Sequence, residues 1–524
     1  MAIDKDLESI QEVRDKVEIA KQAQLEFKHF NQEQVDKVVK AMTDAGFNAS
    51  EQLAKLAVEE TGFGKVQDKI IKNQFGTKNI YDSIKDLKTV GVIDIQQNGK
   101  LIKIAEPMGV VAALIPSTNP TSTMMFKAII SLKCRNSIVA SPHPKAIKST
   151  VEAVKILSNA AEKAGAPKGL IQCLTNPTLA GTDSLMKHND VAVILATGST
   201  PMVKAAYSTG NPAYGVGGGN VPAFIERTAN VSKAVADIIY GTTFDNGTLC
   251  SSEQAMVVDR PIREKVIEEA KRRNAYFCTD EEKLKLEKAC FIDGKLNPEI
   301  VGKSAYSIAQ MAGINAPSNT SVLIAFTEKV GKQELLSGEK LSPILAFYTV
   351  DGWLDGCHKC IDLLNYGGIG HSLVIHSNDK EIIMKFALEK PAFRIVVNTP
   401  SSLGAVGFTT SLLPSLTLGV GTWGGSIISE NVSAKHLMNV KTLAFETKPV
   451  NEGYSLNSFD SIKPNHTPLT GSFTELIEER LRERAGNPRY ENINLKPKEL
   501  SDKKYGLGIS KDYIDKLIKE FNSK

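Results

Sequence analysis

The stretch Gly109-Val-Val-Ala-Ala-Leu-Ile-Pro-Ser-Thr-Asn-Pro120 joins an apolar run to a polar loop, and a helical pattern follows over 121–133. An uninterrupted apolar run of this length is typical of a strand that is covered on both faces. A strand, a loop and a helix in this order are typical of one unit of a parallel α/β sheet.

The same unit repeats downstream. Further strands are predicted at 136–141, 170–174, 191–196 and 221–225, and helices between them at 146–163, 178–187 and 200–209. This alternation predicts an α/β fold with a doubly wound parallel sheet. Ligands bind such sheets at the carboxyl ends of the strands, where loops meet helix N-termini. The corresponding loops are 116–120, 141–144 and 197–200.

Length and composition indicate the number of domains, the kinds of partner and the compartment. A chain of 524 residues exceeds one simple core, so we expect two or three domains. The net charge of +4 gives no indication of nucleic acid or a membrane surface as a partner. No apolar run approaches the roughly 20 residues of a membrane span, and the N-terminus lacks a signal-peptide core. Seven cysteines without framework spacing fit a reducing compartment, so we expect a cytoplasmic protein.

Other regions show different patterns. Residues 5–60 predict two or three amphipathic helices, and Asn98-Gly99 between two β-rich runs predicts a hairpin over 89–104 that serves subunit contact. A second α/β pattern spans about 235–415. Residues 450–472 are typical of a linker, and 509–521 predict an amphipathic helix. That helix docks either on a partner or on its own protein.

Cys250 stands out among the cysteines because it follows an Asn246-Gly247 turn signal and precedes an apolar strand-like run at 255–258. A turn exposes its side chains, so a substrate can reach this thiol. The alternative is an inert buried thiol, which is a common state of cysteine. Cys357 and Cys360 form a C-x-x-C pair without a second pair, which favours coincidence over a metal or redox site.

Eight short motifs occur in order along the chain: Pro116-Ser-Thr-Asn-Pro120, Ser141-Pro-His-Pro-Lys145, Thr197-Gly-Ser-Thr200, Tyr214-Gly-Val-Gly-Gly-Gly-Asn220, Thr248-Leu-Cys-Ser-Ser-Glu-Gln254, Glu339-Lys-Leu-Ser-Pro343, Asn398-Thr-Pro-Ser-Ser402 and Trp423-Gly-Gly-Ser426. Together they resemble the aldehyde dehydrogenase superfamily. They are most similar to its CoA-acylating branch, which includes the aldehyde half of bifunctional aldehyde-alcohol dehydrogenases and microcompartment aldehyde dehydrogenases. The resemblance covers about residues 5–445.

The resemblance implies the catalytic residues. The Cys250 thiolate would add to the aldehyde, because a soft nucleophile creates a carbon that can release hydride. The Asn119 side-chain amide and the Cys250 backbone N–H would bind the oxyanion. His371 would assist proton transfer with coenzyme A, although a structural histidine at a strand start is an equal alternative.

The resemblance also implies NAD and coenzyme A as cofactors, held in turn at one nucleotide site, and no metal. Glu339 would bind the ribose hydroxyls on the nicotinamide side, and 198–200 would hold the pyrophosphate. NAD is preferred to NADP, with Lys145 and Lys148 as the residues that a 2′-phosphate would meet. The implied cofactor-binding residues are Ile115, Pro116, Ser117, Thr118, Ser141, His143, Pro144, Gly198, Ser199, Val203, Val216, Gly217, Gly218 and Glu339.

Two departures from hydrolytic members indicate the acyl acceptor. Val216 stands where those members carry a glutamate that activates water, and Ser141 stands where they carry a lysine. Without the base, water attack loses roughly 10²–10⁴-fold assistance, so a thiol such as coenzyme A would take the acyl group. A hydrolytic dehydrogenase and a non-catalytic scaffold of the same fold are the alternatives.

The implied organisation has three parts: an NAD/CoA-binding domain at 1–235 with a return segment at 416–445, a catalytic domain at 236–415, and a C-terminal extension at 446–524. A homodimer or homotetramer is expected. The predicted helix at 509–521 resembles microcompartment-targeting peptides, so contact with a microcompartment shell is an alternative to a purely cytoplasmic location. Acetaldehyde or propionaldehyde is the expected substrate. Succinate semialdehyde or sulfoacetaldehyde is the alternative, because Arg394 is either structural or an anion contact.

Overall fold

The computed structural model describes residues 4–448 and 450. Its helices are α1 (Lys5–Phe27), α2 (Gln32–Asn48), α3 (Ser50–Thr61), α4 (Val66–Gln74), α5 (Ile80–Ile84), α6 (Pro120–Lys133), α7 (Ile147–Lys163), α8 (Leu179–Met186), α9 (Thr200–Tyr207), α10 (Val231–Thr243), α11 (Arg263–Arg272), α12 (Asp280–Cys290), α13 (Ala305–Met311), α14 (Gly352–Gly367), α15 (Lys380–Leu388) and α16 (Ser401–Gly404). In this part of the chain, no helix is both long and apolar enough to cross a membrane.

The strands are β1 (Gly91–Gln96), β2 (Leu101–Pro107), β3 (Val110–Ile115), β4 (Ser137–Pro142), β5 (Ile171–Cys173), β6 (Val191–Thr197), β7 (Ala213–Val216), β8 (Val221–Ile225), β9 (Glu253–Asp259), β10 (Ala275–Phe277), β11 (Phe291–Ile292), β12 (Lys295–Leu296), β13 (Val322–Phe326), β14 (Ile344–Val350), β15 (Gly370–His376), β16 (Ala392–Val397) and β17 (Met438–Ala444). They form parallel sheets of five and seven strands, a three-stranded antiparallel sheet and the short pair β11–β12.

The five-stranded sheet has the order β5-β4-β3-β6-β7, and all its neighbours are parallel. Successive residues of β3 enter opposite cores, because side chains alternate between the two faces of a strand. Val111 and Ala113 pack with helices α6 and α7, whereas Val110 and Ala112 pack with α1 and α9. Helices on both faces confirm the doubly wound α/β prediction.

The seven-stranded sheet has the order β10-β13-β14-β9-β8-β15-β16, again with parallel neighbours. The strand at 221–225 was predicted as the last strand of the first sheet, but the structure places it in the middle of this second sheet. The edge strand of the first sheet is instead β7. This strand was not predicted because it lies beside a glycine-rich segment, and glycine has a low strand propensity. The chain therefore changes sheet at 217–220, and the domain boundary at 235 stays a prediction.

The predicted hairpin is confirmed as β1 and β2, which pair antiparallel. Asn98 and Gly99 adopt left-handed φ values of 53° and 85° in the connection, as the Asn-Gly signal indicated. The unpredicted strand β17 pairs with β2 and completes the three-stranded sheet. Two or three N-terminal helices were also predicted, and α1, α2 and α3 occupy that region.

We expect Phe224→Ala to lower the free energy of unfolding by about 3–5 kcal/mol, since it removes a large side chain from a packed core. Phe224 is fully buried on β8 and stacks on Phe386 with ring centroids 5.3 Å apart. The midpoint of chemical denaturation measures this change. Leu388→Ala is the control because Leu388 is 80% exposed. An equal shift of the midpoint in both variants would contradict the packing described for the second sheet.

Candidate active site

A cavity of about 680 Å³ opens at the carboxyl ends of the first sheet, between that sheet and the segment that carries Cys250. It brings together residues that lie far apart in the sequence. The predicted site residues on its wall are Ile115, Pro116, Ser117, Thr118, Asn119, Ser141, His143, Pro144, Gly198, Ser199, Val216, Gly217, Gly218, Cys250 and Glu339. Val203 and His371 were also predicted but do not line it.

Cys250 reaches the cavity because of the turn that precedes it. Asp245, Asn246 and Gly247 have left-handed φ values of 50°, 53° and 72°, so the chain reverses tightly between α10 and β9. Cys250 is half-buried, whereas the other cysteines of the chain are buried. This thiol is therefore accessible from the cavity, as the turn signal predicted.

The electrostatic environment of Cys250 keeps its thiol protonated. Burial raises the pKa of Cys250 to about 12, and the nearby Glu339 carboxylate raises it further, while Arg394 acts in the opposite direction. The thiolate is the reactive form of cysteine. Burial and the Glu339 carboxylate therefore both disfavour the reactive thiolate at this position.

Asn119 lies directly before α6, with its side chain on the cavity wall. Its Nδ2 donates to the Thr248 carbonyl at 3.3 Å and to Thr118 Oγ1 at 3.0 Å. Its Oδ1 accepts a hydrogen bond from Lys72 Nζ. Within residues 4–448, the backbone N–H of Cys250 makes no hydrogen bond to another residue. The Cys250 N–H therefore has no acceptor on another described residue, whereas both Nδ2 hydrogens of Asn119 have acceptors that an oxyanion would have to replace.

Sequence reasoning missed a buried cluster of charge behind Asn119. Lys69 and Lys72 extend from α4 and both contact the Asp245 carboxylate. All three side chains are at most 4% exposed. Asp245 directly precedes the Asn246-Gly247 turn signal, and its pairing with the two lysines was not predicted. Two lysines one helical turn apart were the available signal, although the sequence alone does not bring them to Asp245.

Glu339 and two glycines form the wall opposite Asn119. Glu339 Oε1 accepts from the Gly219 N–H at 2.9 Å. A Cβ on Gly218 would lie 2.3 Å from Glu339 Oε2, and a Cβ on Gly219 would lie 2.2 Å from the Cys250 carbonyl oxygen. Only glycine allows these close approaches. Burial raises the pKa of Glu339 to about 7.

Val216 ends β7 on the cavity wall, where it is 1% exposed. Among the residues that line the cavity, Glu339 is the single acidic one. The predicted cofactor residue Val203 lies behind the wall instead, because its side chain packs into the core between β3, β6 and α9. Helix geometry turns Val203 toward the sheet, and its predicted role in cofactor binding stays a prediction.

The structure does not bring His371 to the cavity. Its side chain is fully buried, with Nδ1 within 3.1 Å of Ser372 Oγ, and its ring packs behind Gly219. Burial lowers the pKa of His371 to about 3, and Arg394 adds to this effect, so the ring is neutral. Its direct part in chemistry with coenzyme A stays a prediction.

Arg394 is held entirely by the protein. Its guanidinium donates to the backbone carbonyls of Gly370, His371, Gly419 and Ser429 and to Ser372 Oγ. It is 2% exposed and does not line the cavity. Of the two alternatives for this residue, the structural one fits these contacts.

The C-x-x-C pair lies in the core. Cys357 and Cys360 are both buried on α14, and Cys357 Sγ accepts a hydrogen bond from Lys390 Nζ. The described residues contain no group of three or more His, Cys, Asp or Glu side chains arranged to hold a metal.

A family model described as the aldehyde dehydrogenase family matches residues 6–284. The chain is 45% identical over 441 residues to the aldehyde-alcohol dehydrogenase of Clostridium acetobutylicum, covering 83% of this chain and 51% of the relative. It is 38% identical to the succinate-semialdehyde dehydrogenase (acetylating) of Clostridium kluyveri, covering 83% of this chain and 96% of the relative. The chain belongs to the aldehyde dehydrogenase family. It spans about half the length of the first curated relatives that it matches.

Solved structures agree with this assignment. An acetylating aldehyde dehydrogenase from Geobacillus thermoglucosidasius is 51% identical, with a TM-score of 0.85 over 86% of this chain and 100% of that chain. A propionaldehyde dehydrogenase from Rhodopseudomonas palustris, with bound CoA and an acylated cysteine, is 28% identical, with a TM-score of 0.76 over 83% of this chain and 97% of that chain. Within the family, the chain therefore lies in the CoA-acylating branch, as its motifs predicted.

Glu253, three residues beyond Cys250, should make stability depend on pH. It is fully buried, accepts from the Ser401 N–H at 2.6 Å through Oε1, and has no described partner for Oε2. Burial raises the pKa of Glu253 to about 8. Because the pKa of Glu253 is raised in the folded protein, its contribution to the free energy of unfolding is fully present below pH 4.5, the ordinary pKa of a glutamate. This contribution is lost as the pH rises through about 8.

We therefore expect Glu253→Gln to gain stability relative to wild type between pH 6 and 9, by at most about 1.4 kcal/mol per pH unit. Denaturation midpoints across this range measure the difference. Glu51→Gln is the control, since the exposed Glu51 pairs with Lys55 and its pKa is lowered, so it stays ionised throughout this window. A constant difference between wild type and Glu253→Gln would contradict a protonated Glu253.

Proposed function

We propose that this protein is an NAD-dependent, CoA-acylating aldehyde dehydrogenase. The reaction is aldehyde + CoA + NAD⁺ to acyl-CoA + NADH, through a thioester on Cys250. The observation that carries the proposal is the accessible Cys250 thiol in a cavity whose wall also carries Asn119 and Val216.

The residues near Cys250 have separate roles. The Cys250 thiol loses its proton to solvent water, Sγ bonds to the aldehyde carbon, and the C=O π electrons move to the oxygen, which becomes an oxyanion. Asn119 Nδ2–H and the Cys250 N–H donate to that oxyanion, and each such donor is worth about 3–4 kcal/mol in the transition state. A nicotinamide cofactor held at this cavity would supply the acceptor for the hydride that leaves the same carbon. The CoA thiolate then attacks the thioester, and Cys250 leaves as the thiolate.

The lining of the cavity supports thiol rather than water as the acyl acceptor. Val216 supplies no base, and the single acidic residue on the wall, Glu339, is hydrogen-bonded to the Gly219 N–H at 2.9 Å. Water without a general base loses roughly 10²–10⁴-fold in rate. The CoA thiol needs no general base for its attack once it has ionised to the thiolate. The thioester would therefore persist until CoA arrives.

The carboxyl edge of the first sheet fits a dinucleotide. Gly198 and Ser199 precede α9 on the cavity wall, so the helix N-terminus faces the space where a pyrophosphate would lie. Ser141 Oγ lies 2.8 Å from Thr182 Oγ1. The ammonium of Lys145 lies 5.8 Å from the Phe63 ring centroid and 3.8 Å from a Glu299 oxygen. Lys145 itself lines the cavity, and NAD in preference to NADP is our proposal.

The cavity supports a small uncharged aldehyde. Cys250 packs against an apolar cluster that includes Val406 and Leu418, and both residues line the cavity. Arg394, the expected anion contact, is engaged by backbone carbonyls. Acetaldehyde or propionaldehyde is therefore our proposed substrate. The alternatives are two aldehydes that carry an acidic group, succinate semialdehyde and sulfoacetaldehyde, for which two relatives are named.

Assembly and location extend the proposal. We propose a homodimer or homotetramer in the cytoplasm, with the hairpin β1–β2 at a subunit contact. One relative belongs to a fucose utilisation bacterial microcompartment, which supports a microcompartment as the alternative location. The predicted helix at 509–521, which would contact a shell, lies outside the described residues.

The decisive experiment measures NADH formation from acetaldehyde with and without CoA. We expect sustained turnover only with CoA, and we expect Cys250→Ala to lower kcat at least about 10³-fold while NAD binding persists, because the nucleophile is lost. Intact-mass analysis should detect an acyl adduct on wild type but not on Cys250→Ala. Sustained NADH formation without CoA would favour a hydrolytic enzyme, and wild-type rates in Cys250→Ala would contradict the proposal.

A panel of aldehydes tests the substrate. We expect kcat/KM for propionaldehyde to exceed that for succinate semialdehyde by about 10²-fold or more, since an unpaired carboxylate would enter an apolar wall. Both aldehydes are assayed at saturating CoA and NAD. An equal or higher kcat/KM for succinate semialdehyde would contradict the small uncharged substrate but leave the acylating reaction intact.

A further inference from the structure

The buried charge cluster behind Asn119 consists of Lys69, Lys72 and Asp245. Burying three charged groups is costly unless each one is paired and hydrogen-bonded. Here two cations share one carboxylate, which also accepts from the Lys65 N–H at 2.7 Å and from Thr248 Oγ1 at 2.5 Å. The arrangement leaves one positive charge in excess beside the turn that carries Cys250.

The two lysines have different partners. Lys69 Nζ donates to the Thr118 carbonyl and to Asp245 Oδ2, both at 2.9 Å. Lys72 Nζ donates to the Asp245 carboxylate and to the Asn119 amide oxygen, and it lies 3.3 Å from Thr248 Oγ1. Only Lys72 therefore touches the side chain proposed to bind the oxyanion.

The contact with Lys72 determines which end of the Asn119 amide faces the cavity. An ammonium group has three donors and no acceptor, so it can bind the amide oxygen but not the amide NH₂. With Oδ1 turned to Lys72, Nδ2 points to the Thr248 carbonyl, 3.3 Å away, on the Cys250 side. The opposite amide orientation would set donors against donors and direct the oxygen toward the developing oxyanion.

The charge of Lys72 also affects the strength of the donor. A cation at the amide oxygen polarises the N–H groups on the other end, and this effect is larger away from bulk water. Burial lowers the pKa of Lys72 to about 7, and Lys69 adds to this, while Asp245 and Asp68 oppose it. Burial would raise the pKa of Asp245, but Lys72 and Lys69 hold it below its ordinary value. The carboxylate thus opposes the loss of the Lys72 proton that burial favours.

We propose that Lys72 is a positioning residue for the oxyanion hole: its ammonium, held by Asp245, orients and polarises the Asn119 amide toward Cys250. This inference rests on the proposed function. Lys72 touches neither the thiol nor the expected substrate, so it acts through Asn119. The step that it assists is the addition of Cys250 to the aldehyde, where the oxyanion forms.

A double-mutant cycle on Lys72→Met and Asn119→Ala tests the proposal. Lys72→Met should lower the rate of the first NADH turnover roughly 10- to 100-fold, since a misplaced donor costs about this much. KM for NAD should stay within about twofold, as expected for a contact that acts in the transition state. In the Asn119→Ala background, Lys72→Met should cost less than about threefold, because residues that act as a unit are not additive.

Alkylation of Cys250 by iodoacetamide distinguishes an effect on the oxyanion hole from an effect on the thiol, because this reaction uses the thiol but forms no oxyanion. We expect the alkylation rate of Lys72→Met to match wild type. Lys72→Gln keeps an N–H donor without the charge, so its NADH rate should lie between those of Lys72→Met and wild type. This variant also supplies the measurement if Lys72→Met does not fold. Lys69 remains to pair Asp245 in both variants.

Lys133→Met is the matched control. Lys133 is another buried lysine, on the same helix as Pro120, and it pairs with Asp36 at 2.5 Å far from Asn119. We expect Lys133→Met to lower stability without changing the first-turnover rate per folded enzyme. Wild-type rates in both Lys72 variants, or additive effects of Lys72→Met and Asn119→Ala, would overturn the role of Lys72. Absence of CoA-dependent NADH formation in wild type would instead contradict the proposed function.

Discussion

The pairing of Asp245 with Lys69 and Lys72 is the interaction on which the site depends. It joins α4, from the N-terminal helices, to the turn between α10 and β9 that belongs to the second sheet. Removing one partner from a buried pair typically costs 3–5 kcal/mol, about the scale of a large core truncation. The pair therefore helps to fix the position of Cys250 relative to Asn119, although Asn119 follows a strand of the first sheet and Cys250 precedes a strand of the second.

The connection at 217–220 imposes a second constraint, because it is where the chain passes from one sheet to the other. Gly218 and Gly219 contact Glu339 and the Cys250 carbonyl at distances that no side chain permits. An acidic side chain at Gly218 or Gly219 would lack space. Val216, which directly precedes this connection, is apolar and buried. Close backbone packing and the absence of a base for water thus arise from the same short segment.

Much of this arrangement was predictable, because strong local patterns decide it. The strand–helix alternation from 109 to 209, the Asn98-Gly99 hairpin and the turn before Cys250 depend on periodicity and turn chemistry. The short strand β7 was missed because glycines have a low strand propensity, and strand β8 was assigned to the wrong sheet since periodicity does not identify neighbours. Lys69 and Lys72 were missed because their partner, Asp245, lies more than 170 residues away.

The pKa of Cys250 depends on the charge of the neighbouring Glu339. Burial and the Glu339 carboxylate both raise the pKa of Cys250, so they favour the thiol over the reactive thiolate. Glu339, with a pKa of about 7, is only partly ionised near neutrality. Any group that neutralises or displaces this carboxylate lowers the pKa of Cys250, because it removes a repulsion from the thiolate.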